Sequence, residues 1–189
     1  MRVFDLYCEK WIVYFENAGK VNTEKTLELA EKRAQELGIN TIVLASTNGY
    51  TAQKAIEIYD EADVRFIVVG TDRESFSEGL LQRLKDKEVP VIFTSDFEYT
   101  YPEPVRNAFK KLSEGVKVCM EICMVAVTKG SIPEGVEVIA IAGTSSRGFE
   151  GGGGADTALV ILPRPNLELN KLSEKAKRRD VKEIICKPR

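Results

Sequence analysis

Short apolar runs alternate with amphipathic stretches along most of this chain. Residues 11–15 predict a strand. Asn22 and Thr23 then offer an N-cap, and Leu27, Ala30, Ala34 and Leu37 recur at helical spacing. Gly38 closes that helix as a C-terminal cap. Residues 41–45 predict a second strand and 51–62 a second helix. Residues 65–69 predict a third strand ending at Gly70, 77–86 a short helix, and 89–94 a fourth strand with Pro90 near its start. Segment 95–103 is polar and aromatic, with Phe97, Tyr99 and Tyr101 alternating. A helix resumes at Pro104, which suits a first helical turn, and Gly115 is expected to break it. Residues 116–128 begin with strand-like alternation, but their length favours a helix closed by Gly130. Strands at 136–142 and 157–162 flank a glycine-rich loop. Segment 163–181 is charged and loosely helical, and 181–186 predicts a last short strand.

Several of these strands are continuous Val, Ile and Leu runs, which argues for a parallel sheet covered on both faces. Strand–helix alternation points to the same class: α/β, a three-layer α/β/α sandwich with a mainly parallel central sheet. No internal repeat or linker divides the chain, and its 189 residues suit a single domain spanning 1–189.

Composition changes this picture mainly by exclusion. The chain is 43% hydrophobic and 30% charged, with a net charge of −2. Lys and Arg are scattered, without the basic, aromatic-interleaved stripe of a nucleic-acid binder. The first residues have no signal-peptide pattern, and no apolar run reaches membrane-spanning length, so a cytoplasmic location is expected. A homo-oligomer remains open. The chain contains no histidine. That removes Ser-His and Cys-His nucleophile systems and His-based metal sites. Cys119 and Cys123 would share a helix face, but no cysteine spacing matches a zinc ligand set; packing as small hydrophobes is favoured, and no metal site is expected.

In open α/β sheets, ligands bind beyond the carboxyl ends of the strands. Three small, polar strand exits therefore stand out: 16–23, 46–51 and 143–156. The second is a strand followed by Ser46, Thr47, Asn48, Gly49, Tyr50 and Thr51, then an amphipathic stretch. That order sets free backbone N–H groups and hydroxyls at the positive end of a helix, where phosphate binds. An ordinary turn with a Ser/Thr cap has the same pattern. Glu16, Gly19, Asn22 and Thr23 form a similar exit that would wall the ligand. In the third exit, Gly143 and Thr144 precede Arg147, which could reach a phosphate bidentately, and Asp156 closes the loop. Four consecutive glycines, 151–154, read either as a moving lid or as a surface linker. Neither a Walker A loop nor a GxGxxG fingerprint in its proper context is present. Phe97, Tyr99 and Tyr101 could stack on a planar ring, although packed loop aromatics are the commoner outcome. Glu121 reads as a structural carboxylate more readily than as a functional acid.

Residues 41–52, a strand followed by Ser-Thr-x-Gly-x-Thr-Ala, resemble the start of the pyruvate kinase C-terminal domain. In that domain a Ser/Thr-rich loop holds a phosphate of an allosteric sugar effector where such regulation exists. The glycine-rich segment 143–157 resembles its effector loop. At 189 residues the chain is too short to hold the catalytic barrel as well. It is more similar to stand-alone, mainly archaeal proteins with a pyruvate kinase C-terminal-like fold, on Val13 to Glu16, Gly19, Asn22-Thr23, Ala45-Ser46, Gly49, Thr51-Ala52, the run 115–122, Gly143-Thr144, 155–158 and 183–189. The segment 71–103 is shorter than that pattern and lacks its histidines, and 149–154 reads as an insertion.

The resemblance implies an α/β/α fold and flavin mononucleotide (FMN) as the bound cofactor. The resulting expectation is a module that binds a phosphorylated small molecule, FMN, with its phosphate on the 46–51 turn. The alternatives are a flavin-dependent oxidoreductase and a phosphosugar-sensing regulatory protein. No catalytic residue is assigned.

Overall fold

A computed structural model describes residues 9–60, 62–144, 153–165 and 180–189. Its strands are β1 (Val13–Phe15), β2 (Thr41–Ala45), β3 (Arg65–Gly70), β4 (Val91–Phe93), β5 (Val138–Ala142), β6 (Thr157–Ile161) and β7 (Val181–Pro188). The helices are α1 (Thr23–Leu37), α2 (Tyr50–Ile58), α3 (Glu78–Asp86), α4 (Glu103–Lys110) and α5 (Glu114–Thr128). The strands form one sheet in the order β1-β7-β6-β5-β2-β3-β4.

Strands β5, β2, β3 and β4 run parallel to one another, as does β1 to β7. Only β6 is reversed, antiparallel to both β5 and β7. The mainly parallel sheet expected from the apolar runs is therefore present, with one inversion. That inversion brings the start of β6, with Asp156 just before it, to the edge where β2 and β5 end.

The sheet is covered on both faces, so its central strands need apolar residues at successive positions. Ile42 and Leu44 face one cluster, with Leu27, Ala30 and Ala34 of α1, Ala52, Ala55 and Ile56 of α2, and Leu80 and Leu84 of α3. Val43 faces the other, with Val116, Cys119, Met120 and Cys123 of α5. Each fully buried Leu or Ile of these clusters contributes roughly 1.5–3 kcal/mol. Arg33 ties the layers at one end of the sheet. Its guanidinium donates to Glu183 of β7 through Nε at 2.8 Å and Nη2 at 2.7 Å, and to Glu36 at 2.6 Å.

Several boundaries differ from the sequence expectation. The first strand begins at Val13, and Trp11 lies outside it. The second helix stops at Ile58 instead of 62. Gly115 does not break a helix; it lies in the first turn of α5, which Ser113 caps by accepting the Val116 N–H at 3.0 Å. Its physical reason is distant in sequence. A Cβ there would sit 2.1 Å from Thr157 Oγ1. Asn22 does not cap α1 with its side chain, which instead donates to the Asn17 carbonyl at 2.6 Å; a 3-10 turn, Lys20–Asn22, leads into the helix. Gly38 ends α1 as expected, with φ +66° and the Ile39 N–H returning to the Ala34 carbonyl at 2.9 Å. The last strand runs on to Pro188. Most of the 163–181 segment lies outside the described residues. No helix among the described residues is long and apolar enough to cross a membrane.

Cys119 and Cys123 both pack within the α5 face of the core, and Cys186 packs on the other. Burial raises all three thiols, that of Cys186 to about 12. A thiol-reactive disulfide reagent at neutral pH is therefore expected to leave these three unmodified until the protein is unfolded. Rapid labelling of any of them in native protein would contradict this packing.

Candidate functional site

The chain leaves β2 through α2 on one face and reaches β5 from α5 on the other. The carboxyl ends of β2 and β5 thus flank a topological switch point, where open α/β sheets bind their ligands. Ser46–Thr51 and Gly143–Thr144 leave these two strand ends. The reversed β6 brings Asp156 to the same edge.

The turn after β2 is built by its own side chains. Gly49 sits at φ +82°, a left-handed conformation that favours glycine, and a Cβ there would meet the Leu80 side chain at 2.5 Å. Ser46 Oγ accepts the Ala52 N–H at 3.3 Å, and Asn48 Oδ1 accepts the Tyr50 N–H at 3.2 Å. These bonds fix the first turn of α2 and occupy its Tyr50 and Ala52 amides. Ser46 and Thr51 are 3% and 1% exposed, whereas Thr47 and Asn48 are open to solvent. Thr47 therefore offers an accessible hydroxyl on this turn, whereas Thr51 is buried.

The other two exits are knotted to each other by Asp156, which is fully buried. Its Oδ2 accepts the Gly19 N–H at 2.8 Å and the Thr144 N–H at 3.1 Å, while Oδ1 accepts the Thr157 hydroxyl at 2.8 Å. Thr23, also fully buried, donates to the Lys20 carbonyl at 2.8 Å and accepts the Ala155 N–H at 3.0 Å. Gly154 lies against Lys20, and Gly153 approaches the Asn48 side chain. All three polar exits are thereby gathered on one edge. Glu16, at the far end of the first exit, is exposed and pairs with Arg189 at 3.6 Å. Arg147 lies outside the described residues.

Lys20, and a second group that joins the expected Ser46, Thr47, Thr144, Tyr99 and Glu121 around a cavity, were not singled out from sequence. Lys20 places its ammonium over the Tyr50 ring, 3.9 Å from its centroid, beside the start of α2. It adds positive charge where the helix end already favours an anion. The second group lines a cavity of about 690 Å³ at the same strand ends, on the α5 side. Its walls include Ser46, Thr47 and Thr144, then Thr71, Asp72 and Thr94 beyond β3 and β4, Tyr99, Lys110 of α4, and Glu114, Lys117 and Glu121 of α5. Val118, Ile122 and Val125 supply an apolar strip. A cavity of about 600 Å³ at the opposite edge, near Asn40, Arg65 and Lys87, includes none of the residues expected to bind.

The polar wall of the first cavity is internally paired. Lys117 Nζ lies 2.7 Å from Glu114 Oε1 and 3.9 Å from Glu121 Oε2, and Lys110 lies 3.5 Å from Glu114. Burial would raise the Glu114 carboxyl, but the Lys117 and Lys110 ammonium groups together outweigh it and hold the group below its ordinary value. Tyr99 donates its phenol to Glu121 Oε1, and Tyr101 donates to the Lys117 carbonyl at 3.0 Å. Burial, then the Glu121 carboxylate, keep both phenols protonated well above their ordinary range. Glu121 is thus a hydrogen-bonded carboxylate on the cavity wall. Of the loop aromatics, Tyr99 reaches that wall, while Phe97 packs beneath the Lys129 ammonium.

Fold and site together describe a doubly covered α/β domain with polar strand exits converging on a switch point. The family model for the pyruvate kinase alpha/beta domain matches residues 24–161. The chain belongs to that family. The match runs from the first turn of α1 to the end of β6, so β1 and β7 lie beyond it.

Proposed function

We propose that this protein binds a phosphorylated small molecule, FMN, with the phosphate on the 46–51 turn and the rest of the ligand extending into the neighbouring cavity. The observation that carries the reading is the convergence of a glycine-capped helix start, an exposed Thr47 hydroxyl and the Lys20 ammonium at the switch point. Phosphate would be held by the Thr47 hydroxyl, the backbone amides of the turn and Lys20. Thr144 and Gly143 would line the far side. The apolar strip of Val118, Ile122 and Val125 offers a flat ring a surface, and Glu121 offers its N–H or O–H groups an acceptor. The resemblance of Val13 to Glu16, Gly19, Asn22-Thr23, Ala45-Ser46, Gly49, Thr51-Ala52, Gly143-Thr144 and 155–158 to a stand-alone family expected to bind flavin mononucleotide supports FMN over other phosphates. Bound flavin would supply redox chemistry, which needs no histidine from the protein.

A second reading rests on the cavity's polarity. Four threonines, Thr47, Thr71, Thr94 and Thr144, stand around it with three carboxylates, a lining that also suits a phosphorylated polyol. One titration series separates the two. Protein freed of small molecules is titrated with FMN, riboflavin, inorganic phosphate and a hexose bisphosphate. The FMN reading expects a protein-shifted flavin band with FMN and much weaker binding of riboflavin. Thr47→Val should weaken FMN binding by about tenfold, the loss of one hydrogen bond to a charged group. Unchanged affinity in that variant, or equal binding of riboflavin, would remove the phosphate from this turn.

A further inference from the structure

We propose that Asp72 is the hydroxyl-reading residue of this site, and that the ligand is a phosphate ester whose carbon chain carries free hydroxyls beside the phosphate. The inference rests on the reading that sets the phosphate on the 46–51 turn. The ribityl chain of FMN and a phosphorylated polyol share this chemistry.

Strands β2 and β3 are parallel neighbours, paired from Thr41 and Arg65 to Ala45 and Val69. The Ser46 N–H continues their ladder to the Val69 carbonyl at 3.0 Å. Their exits therefore leave the sheet side by side, about 4.8 Å apart. The β3 exit is tied in turn to that of β4. The Thr71 carbonyl accepts the Ser95 N–H at 2.9 Å and the Thr94 hydroxyl at 3.4 Å. Thr47, Thr71, Asp72 and Thr94 all line the cavity of about 690 Å³. A ligand anchored by its phosphate at Thr47 thus brings the carbons nearest that phosphate beside Asp72, one strand away.

Asp72 is half-buried. Its Oδ1 accepts the Ser75 N–H at 2.9 Å and the Ser75 hydroxyl at 2.5 Å, which fixes the carboxylate on the turn that leads into α3. Among the described residues Oδ2 has neither a hydrogen bond nor an ion pair, and the adjacent Arg73 pairs with Glu78 at 3.7 Å. The two other acids of the cavity wall are already matched. Glu114 and Glu121 flank the Lys117 ammonium, and Glu121 also accepts the Tyr99 phenol. Asp72 is thus the wall carboxylate with an open acceptor. An ionised carboxylate only accepts, so its partner on the ligand must donate, as hydroxyls do. Dinucleotide-binding folds use an acid in the same place, after the strand that follows the phosphate turn, to accept ribose hydroxyls. The order here is β2, phosphate turn, α2, β3, Asp72.

Two ligand pairs test this by calorimetric titration of the full chain. FMN is compared with an analogue whose ribityl hydroxyls are replaced by hydrogen, and ribitol 5-phosphate with pentyl phosphate. The expected result is a preference of at least about tenfold for the hydroxylated member, as for hydrogen bonds to a charged group. Asp72→Ala should remove most of that preference. Asp72→Asn keeps an oxygen for Ser75, and with it the turn, and should lie between. The ratio within a pair is the readout, because loss of the turn alone would weaken both members alike. Equal binding within a pair, or a preference that survives Asp72→Ala, overturns the role of Asp72 and leaves the phosphate reading standing. An Asp72-dependent preference for ribitol 5-phosphate in a protein that ignores FMN supports the role of Asp72 and overturns FMN. Binding of neither pair overturns both.

Discussion

Replacing Asp156 by alanine is expected to destabilise the protein by at least about 3 kcal/mol, since three donors lose their acceptor in a buried setting at ~1–3 kcal/mol each. These donors are the Gly19 and Thr144 amides and the Thr157 hydroxyl. They belong to three different parts of the edge: the exit after β1, the exit after β5 and the first residue of β6. The carboxylate is fully buried, so bulk water does not compete for these bonds. Asp156→Asn keeps the size and one acceptor oxygen but turns an N–H₂ group toward one set of donors, so its cost should fall between wild type and alanine. Urea unfolding of the three proteins measures this directly. A loss within about 1 kcal/mol for Asp156→Ala would mean that the edge is not held together by this residue. Because Asp156 braces Thr144 and Gly19, ligand affinity should fall with stability in the same series.

The strands flanking the site were legible because their chemistry is local. A strand covered on both faces must be apolar at successive positions, and β2, β3 and β5 are written that way. The turn after β2 was legible for a similar reason: strand, small polar turn and helix follow each other within a dozen residues. The direction of β6 was not legible. A buried antiparallel strand between covered neighbours is as uniformly apolar as a parallel one, so 157–161 carries no mark of its reversal. Yet that reversal is what sets Asp156 on the edge where the three polar exits meet.

Gly115 shows the same limit at one residue. Local propensity reads a glycine between two helical patterns as a break. The break is at Ser113, and the glycine is required by Thr157, which packs where a Cβ would be. The cavity wall was hidden for a related reason. Glu114, Lys117 and Glu121 share a helix face by spacing, but only the crossing of α5 over the ends of β2 and β3 makes that face a wall. Lys20 gave the sequence no signal beyond its charge; its position over Tyr50 depends on the 3-10 turn that brings the first exit beside the second.

Gly143→Ala is expected to cost about 3 kcal/mol, at the upper end for overpacking, and to abolish ligand binding at temperatures where the fold survives. Gly143 follows the last residue of β5, and Gly154 stands opposite it as the chain returns toward β6. A Cβ on Gly143 would lie 2.2 Å from the Gly154 carbonyl oxygen and 3.1 Å from the Ala155 Cα. Both are backbone atoms, so no rotamer change makes room. The Asp156 N–H donates to the Ala142 carbonyl at 3.0 Å, and the Thr144 N–H donates to Asp156. These two bonds straddle the pinch, and opening it strains both. Gly154 cannot retreat, because its other side meets Lys20 and Thr23. The methyl group therefore pushes the third exit away from the first and displaces Thr144 from the cavity mouth. Gly79→Ala is the control. Gly79 lies in α3 with open space where its Cβ would be, so alanine there should be neutral or stabilising by about 0.5–1 kcal/mol. Equal unfolding midpoints for the two variants would show that the ends of the β5–β6 connection are not packed against each other. A Gly143→Ala protein that unfolds early yet binds FMN with native affinity would separate the pinch from the ligand site.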